Sequence, residues 1–103
     1  MTITITLQYF DGCPNWKIAE QEIWEAARKA GLEAEVSYQK VESHDEAERL
    51  EFRGSPTILV SGADPFADED APVGLSCRVY WIDGKPSGSP GVAALVQVLR
   101  AEP

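Results

Sequence analysis

The sequence predicts an α/β domain with the element order β-α-β-α-β-β-α, a four-stranded mixed sheet with helices on both faces. Three observations predict it. Residues 2–10 alternate, with Ile3, Ile5, Leu7 and Tyr9 on one face and Thr4, Thr6 and Gln8 on the other, as a half-buried strand does. Trp16, Ala19, Ile23, Ala26 and Ala30 then step by three and four residues, one apolar stripe of a helix. Alternation returns at Leu32, Ala34, Val36 and Tyr38, so a crossover joining two parallel strands opens the chain.

The remaining elements follow from caps and breakers. Pro14 suits the first helical position, where its missing N–H costs nothing, and Gly31 ends that helix. Ser43 with Glu46 forms a capping box for a short helix that carries Ala47 and Leu50 and is closed by Gly54. The third strand is Thr57 to Val60, after Ser55-Pro56. A polar segment, residues 61–76, leads to a fourth strand from Cys77 to Ile82. With no helix between the third and fourth strands, antiparallel pairing is expected. The intervening "GADPFADEDAPVG" is long for a hairpin loop, and loops of that length are often functional or mobile. After an Asp83-Gly84 turn, Ser89 and Pro90 start a last helix with Val92, Leu95, Val96 and Leu99 inward.

Composition bounds the function. The chain of 103 residues is read as one domain, 1–103, with 44% hydrophobic and 25% charged residues. A formal charge of −8 and nine scattered Lys and Arg argue against a nucleic-acid partner. No apolar run reaches the length of a membrane span. "MTITITLQYF" lacks the basic start of a signal peptide, which predicts the cytoplasm, where thiols stay reduced. Two cysteines are too few for a disulfide scaffold.

The chemistry centres on "FDGCPNW", Phe10 to Trp16, which begins like a Cys-x-x-Cys site but has Trp16 at the fourth place. Cys13 at a helix start faces free N–H groups and the positive dipole end, both favouring thiolate. Lys17 assists, while Asp11 and the net charge oppose; the plainer alternative is a small capping residue. Trp16 lies on the core stripe, yet in the first turn its indole is also placed to shield Cys13 or to stack on a ligand. His44 reads as a solvated helix-start residue, and one His without neighbours makes no zinc site. Asp64, Asp68, Glu69 and Asp70 lack calcium-loop spacing and read as a solvated acidic face. No metal site and no cofactor are expected. Phe66 and Trp81 remain as apolar residues available to a partner.

Cys-Pro at the first helix start and Ser55-Pro56-Thr57 before the third strand together resemble the thioredoxin-like superfamily. "GCPNW", "RGSPTILV" and Ser76-Cys77-Arg78 are similar to short bacterial thioredoxin-like proteins carrying CPN, GSPT and SCR. The resemblance implies a cis Ser55–Pro56 bond beside Cys13. It also implies substrate contacts at Pro14, Trp16, Ser55, Pro56 and Thr57, with a peptide laid against the exposed backbone as an added strand. The expected function is a thiol-based redox protein that forms a mixed disulfide through Cys13 with a protein or low-molecular-weight thiol. Resolution comes from an external thiol or from Cys77. Two rivals stand beside it: a non-catalytic peptide-binding module, and thiolate capture of a soft metal such as mercury or copper(I).

Cys77 itself has two readings, resolving thiol or small apolar strand residue. In a simple hairpin it falls near Gly62, and five residues at about 3.3 Å each leave it roughly 16 Å from Pro56. A disulfide needs Cα atoms within about 7 Å. Simple hairpin geometry therefore forbids a Cys13–Cys77 bond, and only a folded-back loop, for which the 61–76 segment is long enough, or a slipped strand permits it.

Overall fold

Residues 2–101 are described by the computed structural model. The alternating N-terminal run forms β1 (Thr2–Tyr9), the centre of a three-stranded sheet. The helical stripe becomes α1 (Asn15–Ala30), one residue later than expected, with Pro14 in the cap position and Gly31 left-handed at φ 72°. β2 (Glu33–Lys40) returns parallel to β1, with Thr2 opposite Glu33 and Tyr9 opposite Lys40.

The Ser43 cap is built, accepting from the Glu46 amide at 3.1 Å, while the reciprocal bond is shifted by one residue: Glu46 accepts from the Glu42 amide at 2.8 Å and not from that of Ser43. The cap opens α2 (His44–Leu50), which ends with Glu51 in the left-handed region at φ 54° rather than at Gly54. β3 (Thr57–Val60) pairs antiparallel with β1, Gln8 opposite Thr57 and Ile5 opposite Val60.

The expected four-stranded sheet is not formed. The main sheet has the order β2-β1-β3, and a separate hairpin joins β4 (Tyr80–Ile82) to β5 (Lys85–Ser87). At the end of β3, Ser61 and Gly62 take positive φ and Val60 bridges back to Ala63, so the chain turns without laying a new strand along β3. The segment then crosses over and returns beside residues 52–55: the Gly74 amide donates to Phe52 at 3.0 Å and the Ser55 amide to Ser76 at 2.8 Å. Cys77 bridges Ser55 in parallel, the opposite sense to the expected pairing. Asp83 (φ 51°) and Gly84 (φ 78°) make the tight turn of the β4–β5 hairpin. Pro86 opposite Trp81 is tolerated because this two-stranded ribbon is all edge.

The last helix, α3 (Val92–Ala101), starts beyond Ser89 and Pro90. Its first turn is anchored from α1: Glu22 accepts from the Ser89 hydroxyl and from the Gly91 amide, each at 3.1 Å. The helix placement is a second correction. α1 and α3 share one sheet face, burying Ile3, Ile5, Leu7, Ile23, Ile58 and Leu95 among others. α2 builds a smaller cluster of Val41, Ala47 and Phe52 and reaches the opposite face only with Leu50 and Glu51. There they rim an open cleft of about 610 Å³ floored by Gln8, Thr57 and Leu59. No helix among the described residues is long and apolar enough to cross a membrane.

Candidate functional site: two cysteines on either side of Ser55

Three segments meet at Ser55. The first is the turn after β1, where the Cys13 amide donates to the Phe10 carbonyl at 3.3 Å. A Cβ on Gly12 would meet the Phe10 ring, so a larger residue there requires that ring to move. The turn aims the wholly buried Cys13 at the Ser55 carbonyl, to which its sulfur donates at 3.5 Å. The second segment is Gly54–Thr57, with the Ser55–Pro56 bond cis. The third is Ser76–Arg78, whose Arg78 amide donates to the same Ser55 carbonyl at 2.8 Å. Ser55 also accepts from the Phe10 amide through its hydroxyl at 3.4 Å.

This convergence brings Cys77 to Cys13. Cys77 is exposed and Cys13 is not; both are free thiols. The Cys77 thiol is pushed up to about 11, first by hydrogen bonding with Cys13, then by partial burial and by negative charge on Cys13. The hairpin argument against this pairing fails for a physical reason: residues 61–76 fold back and deliver Cys77 to the start of β3, not to its end.

What holds the return segment was not foreseen from sequence. Gly54 has φ +120°, and a Cβ on it would lie 3.0 Å from Arg78 Cα, so only glycine lets the two backbones approach this closely. Arg78 turns inward and pairs with Asp64 at 2.7 Å; the two side chains are 7% and 20% exposed. The guanidinium also donates to the Phe66 carbonyl and to the Thr57 hydroxyl, and lies 4.7 Å from the Tyr80 ring centroid. Tyr80 donates to the Pro56 carbonyl at 2.6 Å, and burial pushes its phenol well above the ordinary range. Asp64 is therefore an ion-pair partner, not part of a solvated acidic face; Asp68, Glu69 and Asp70 are exposed. One signal was available: in Cys77-Arg78-Val79-Tyr80-Trp81, Arg78 and Tyr80 share a strand face, as a paired polar set would.

The other nominated residues fall as follows. Ser55, Pro56 and Thr57 are buried, and Thr57 donates to the Gly54 carbonyl at 2.6 Å. Pro14 is exposed beside Cys13. Trp16 stacks on Tyr9 with ring centroids 4.3 Å apart, with the Lys17 ammonium 5.8 Å from its centroid. His44 is exposed at the start of α2. Among the described residues, no group of three or more His, Cys, Asp or Glu is placed to hold a metal ion. Comparison with protein-family models, curated proteins and solved structures returned no match.

Proposed function

We propose that the protein carries out thiol–disulfide exchange with Cys13 and Cys77 as its working pair. The observation that carries this reading is the meeting of the two thiols across Ser55, one buried and one exposed. Cys77 is the sulfur that a partner reaches first. In the oxidised protein, an incoming thiolate attacks Cys77, the Cys13–Cys77 bond breaks, and Cys13 departs as thiolate. A second substrate thiolate then attacks the substrate sulfur of the mixed disulfide and releases Cys77, so the substrate leaves as a disulfide and the protein as a dithiol. Run backward, the same steps reduce a substrate disulfide, with Cys13 resolving the mixed disulfide on Cys77. Hydrogen bonding with Cys13 and negative charge on it both hold the Cys77 proton.

This reading reverses the order expected from sequence, in which Cys13 attacks first, and burial of Cys13 is the reason. Kinship with thioredoxin-like proteins is proposed on the Cys13-Pro14 helix start and Ser55-Pro56-Thr57, not on the sheet. The partner is a protein or low-molecular-weight thiol, and the cytoplasm is the compartment that suits a free dithiol. The buried side chains of Ser55, Pro56 and Thr57 give the peptide-module rival little to work with. A soft metal ion held linearly by two thiolates is the second reading, favoured by two adjacent sulfurs with no third ligand beside them among the described residues.

Exposure to glutathione disulfide tests the assignment. Cys13→Ser is expected to accumulate a stable glutathione adduct on Cys77, while the parent passes on to an internal disulfide. A stable adduct on the parent, or adduct only on Cys13 of a Cys77→Ser variant, would contradict it. Protection of both thiols from alkylation by stoichiometric mercury(II), with no exchange in any variant, would favour the metal reading.

A further inference from the structure

The segment from Cys77 to Trp81 alternates strictly, Arg78 and Tyr80 buried, Cys77, Val79 and Trp81 exposed. That inverts the usual arrangement: the apolar residues face solvent, Val79 at 54% and Trp81 at 69% exposure. The inversion has a cause, since the inner face is already taken by the Arg78–Asp64 pair and the Tyr80–Pro56 hydrogen bond. Its consequence is an apolar track that begins at the exposed sulfur. In extended backbone alternate residues are about 6.6 Å apart, which gives a span of about 13 Å from position 77 to position 81. Beside the track is a cleft of about 300 Å³ lined by Phe66, Asp68, Val79, Trp81, Pro90 and Ala94. That is the low end of the ligand-pocket range of about 300–1,000 Å³.

We infer that Val79 and Trp81 dock an extended, basic polypeptide segment whose cysteine meets Cys77 and whose aromatic side chain, four residues away, meets Trp81. This deepens the exchange reading and rests on it. A small thiol disulfide needs only the sulfur; a solvent-facing Val and Trp in line with it serve a substrate that extends past its own cysteine. The spacing matches, because an extended substrate repeats the same two-residue period. The charge also matches: the protein is at −8, and of the two charged residues that line the cleft Arg78 is already paired with Asp64, which leaves the exposed Asp68. Glutathione disulfide, itself anionic, is the poorer electrostatic fit.

The test uses the reduced protein and two disulfides. One is a Lys-rich peptide with Phe four residues after its cysteine, joined to thionitrobenzoate; the other is hydroxyethyl disulfide. A protein thiolate attacks the peptide sulfur and thionitrobenzoate leaves as thiolate. The second protein sulfur then closes the Cys13–Cys77 disulfide and frees the peptide thiol, two electrons passing to the substrate. Trp81→Ser and Val79→Ser are expected to slow the peptide reaction about tenfold and to leave hydroxyethyl disulfide unchanged. Replacing the peptide Phe by Ser should slow the parent equally and abolish its sensitivity to Trp81→Ser. Equal slowing with both substrates, or no slowing with either, would overturn the docking track while leaving exchange intact. A parent inert toward both disulfides would instead overturn the exchange reading, and the docking track with it.

Discussion

The sheet body and the return segment are held by different forces. β1, α1, β2, β3 and α3 bury a continuous apolar cluster, Ile3, Ile5, Leu7, Ile23, Ile58, Val60, Leu95 and Leu99. Residues 61–78 are fixed by polar contacts: Arg78 with Asp64, Ser55 with Ser76 and Arg78, and Tyr80 with Pro56. Apolar packing adds to the return at Val73 and Leu75, against the Phe52 cluster, and at Phe66, against the main core. The difference separates stability from site geometry. Apolar burial is non-directional and tolerates small shifts, whereas hydrogen bonds and a buried ion pair fix one register. Cys13 belongs to the first region and Cys77 to the second, so their meeting depends on the polar contacts.

The largest expected effect lies in the body. Leu7→Ala, fully buried in the central strand, should cost about 2–5 kcal/mol in urea unfolding while the folded fraction still pairs its thiols. Loss of pairing in the folded fraction would erase the distinction. Next is Asp64→Ala, which strands the Arg78 guanidinium. Its cost should be about 3 kcal/mol, the low end for a broken buried pair because Asp64 is 20% exposed. Unlike Leu7→Ala, it should also slow Cys13–Cys77 disulfide formation in protein that remains folded. An unchanged rate would show that the ion pair does not hold the return segment.

The smallest effect is on ionisation. Hydrogen bonding and negative charge from Cys13 both raise the Cys77 thiol, so Cys13→Ala should lower it toward its ordinary value. A thiol raised to about 11 is mostly protonated at pH 8. Removing the cause raises the thiolate fraction, and iodoacetamide should label Cys77 about tenfold faster in the variant, each pKa unit being a factor of ten. In the parent, labelling should keep accelerating up to about pH 11, where the thiol titrates. Equal rates at pH 8 would mean that the two thiols do not interact in solution.

The body was legible in the sequence because each of its elements carries its own period: Ile3, Ile5 and Leu7 by twos, Ala19, Ile23 and Ala26 by threes and fours. The Ser43 cap was equally local. The return segment was not legible, for three physical reasons. Arg78 and Asp64 find each other across fourteen positions, and no short-range pattern records that. Gly54 reads as a helix terminator, while its actual use is the close approach of Arg78. Val79 looks like an inward residue on hydrophobicity alone, yet the inner face is occupied by Arg78 and Tyr80. β5 was hidden by Pro86, which argues against a strand wherever the strand is not an edge. Cys13 could be nominated from its helix start and Cys77 from being the other cysteine, but not their contact.

That contact is the claim on which the rest depends, and controlled oxidation followed by peptide mapping tests it most directly. Dilute parent protein treated with a stoichiometric thiol oxidant such as diamide is predicted to give one product, a monomer with Cys13 joined to Cys77 and no free thiol. Dimers linked through Cys77 with Cys13 still reduced would contradict it, because an exposed Cys77 without Cys13 beside it pairs between molecules instead.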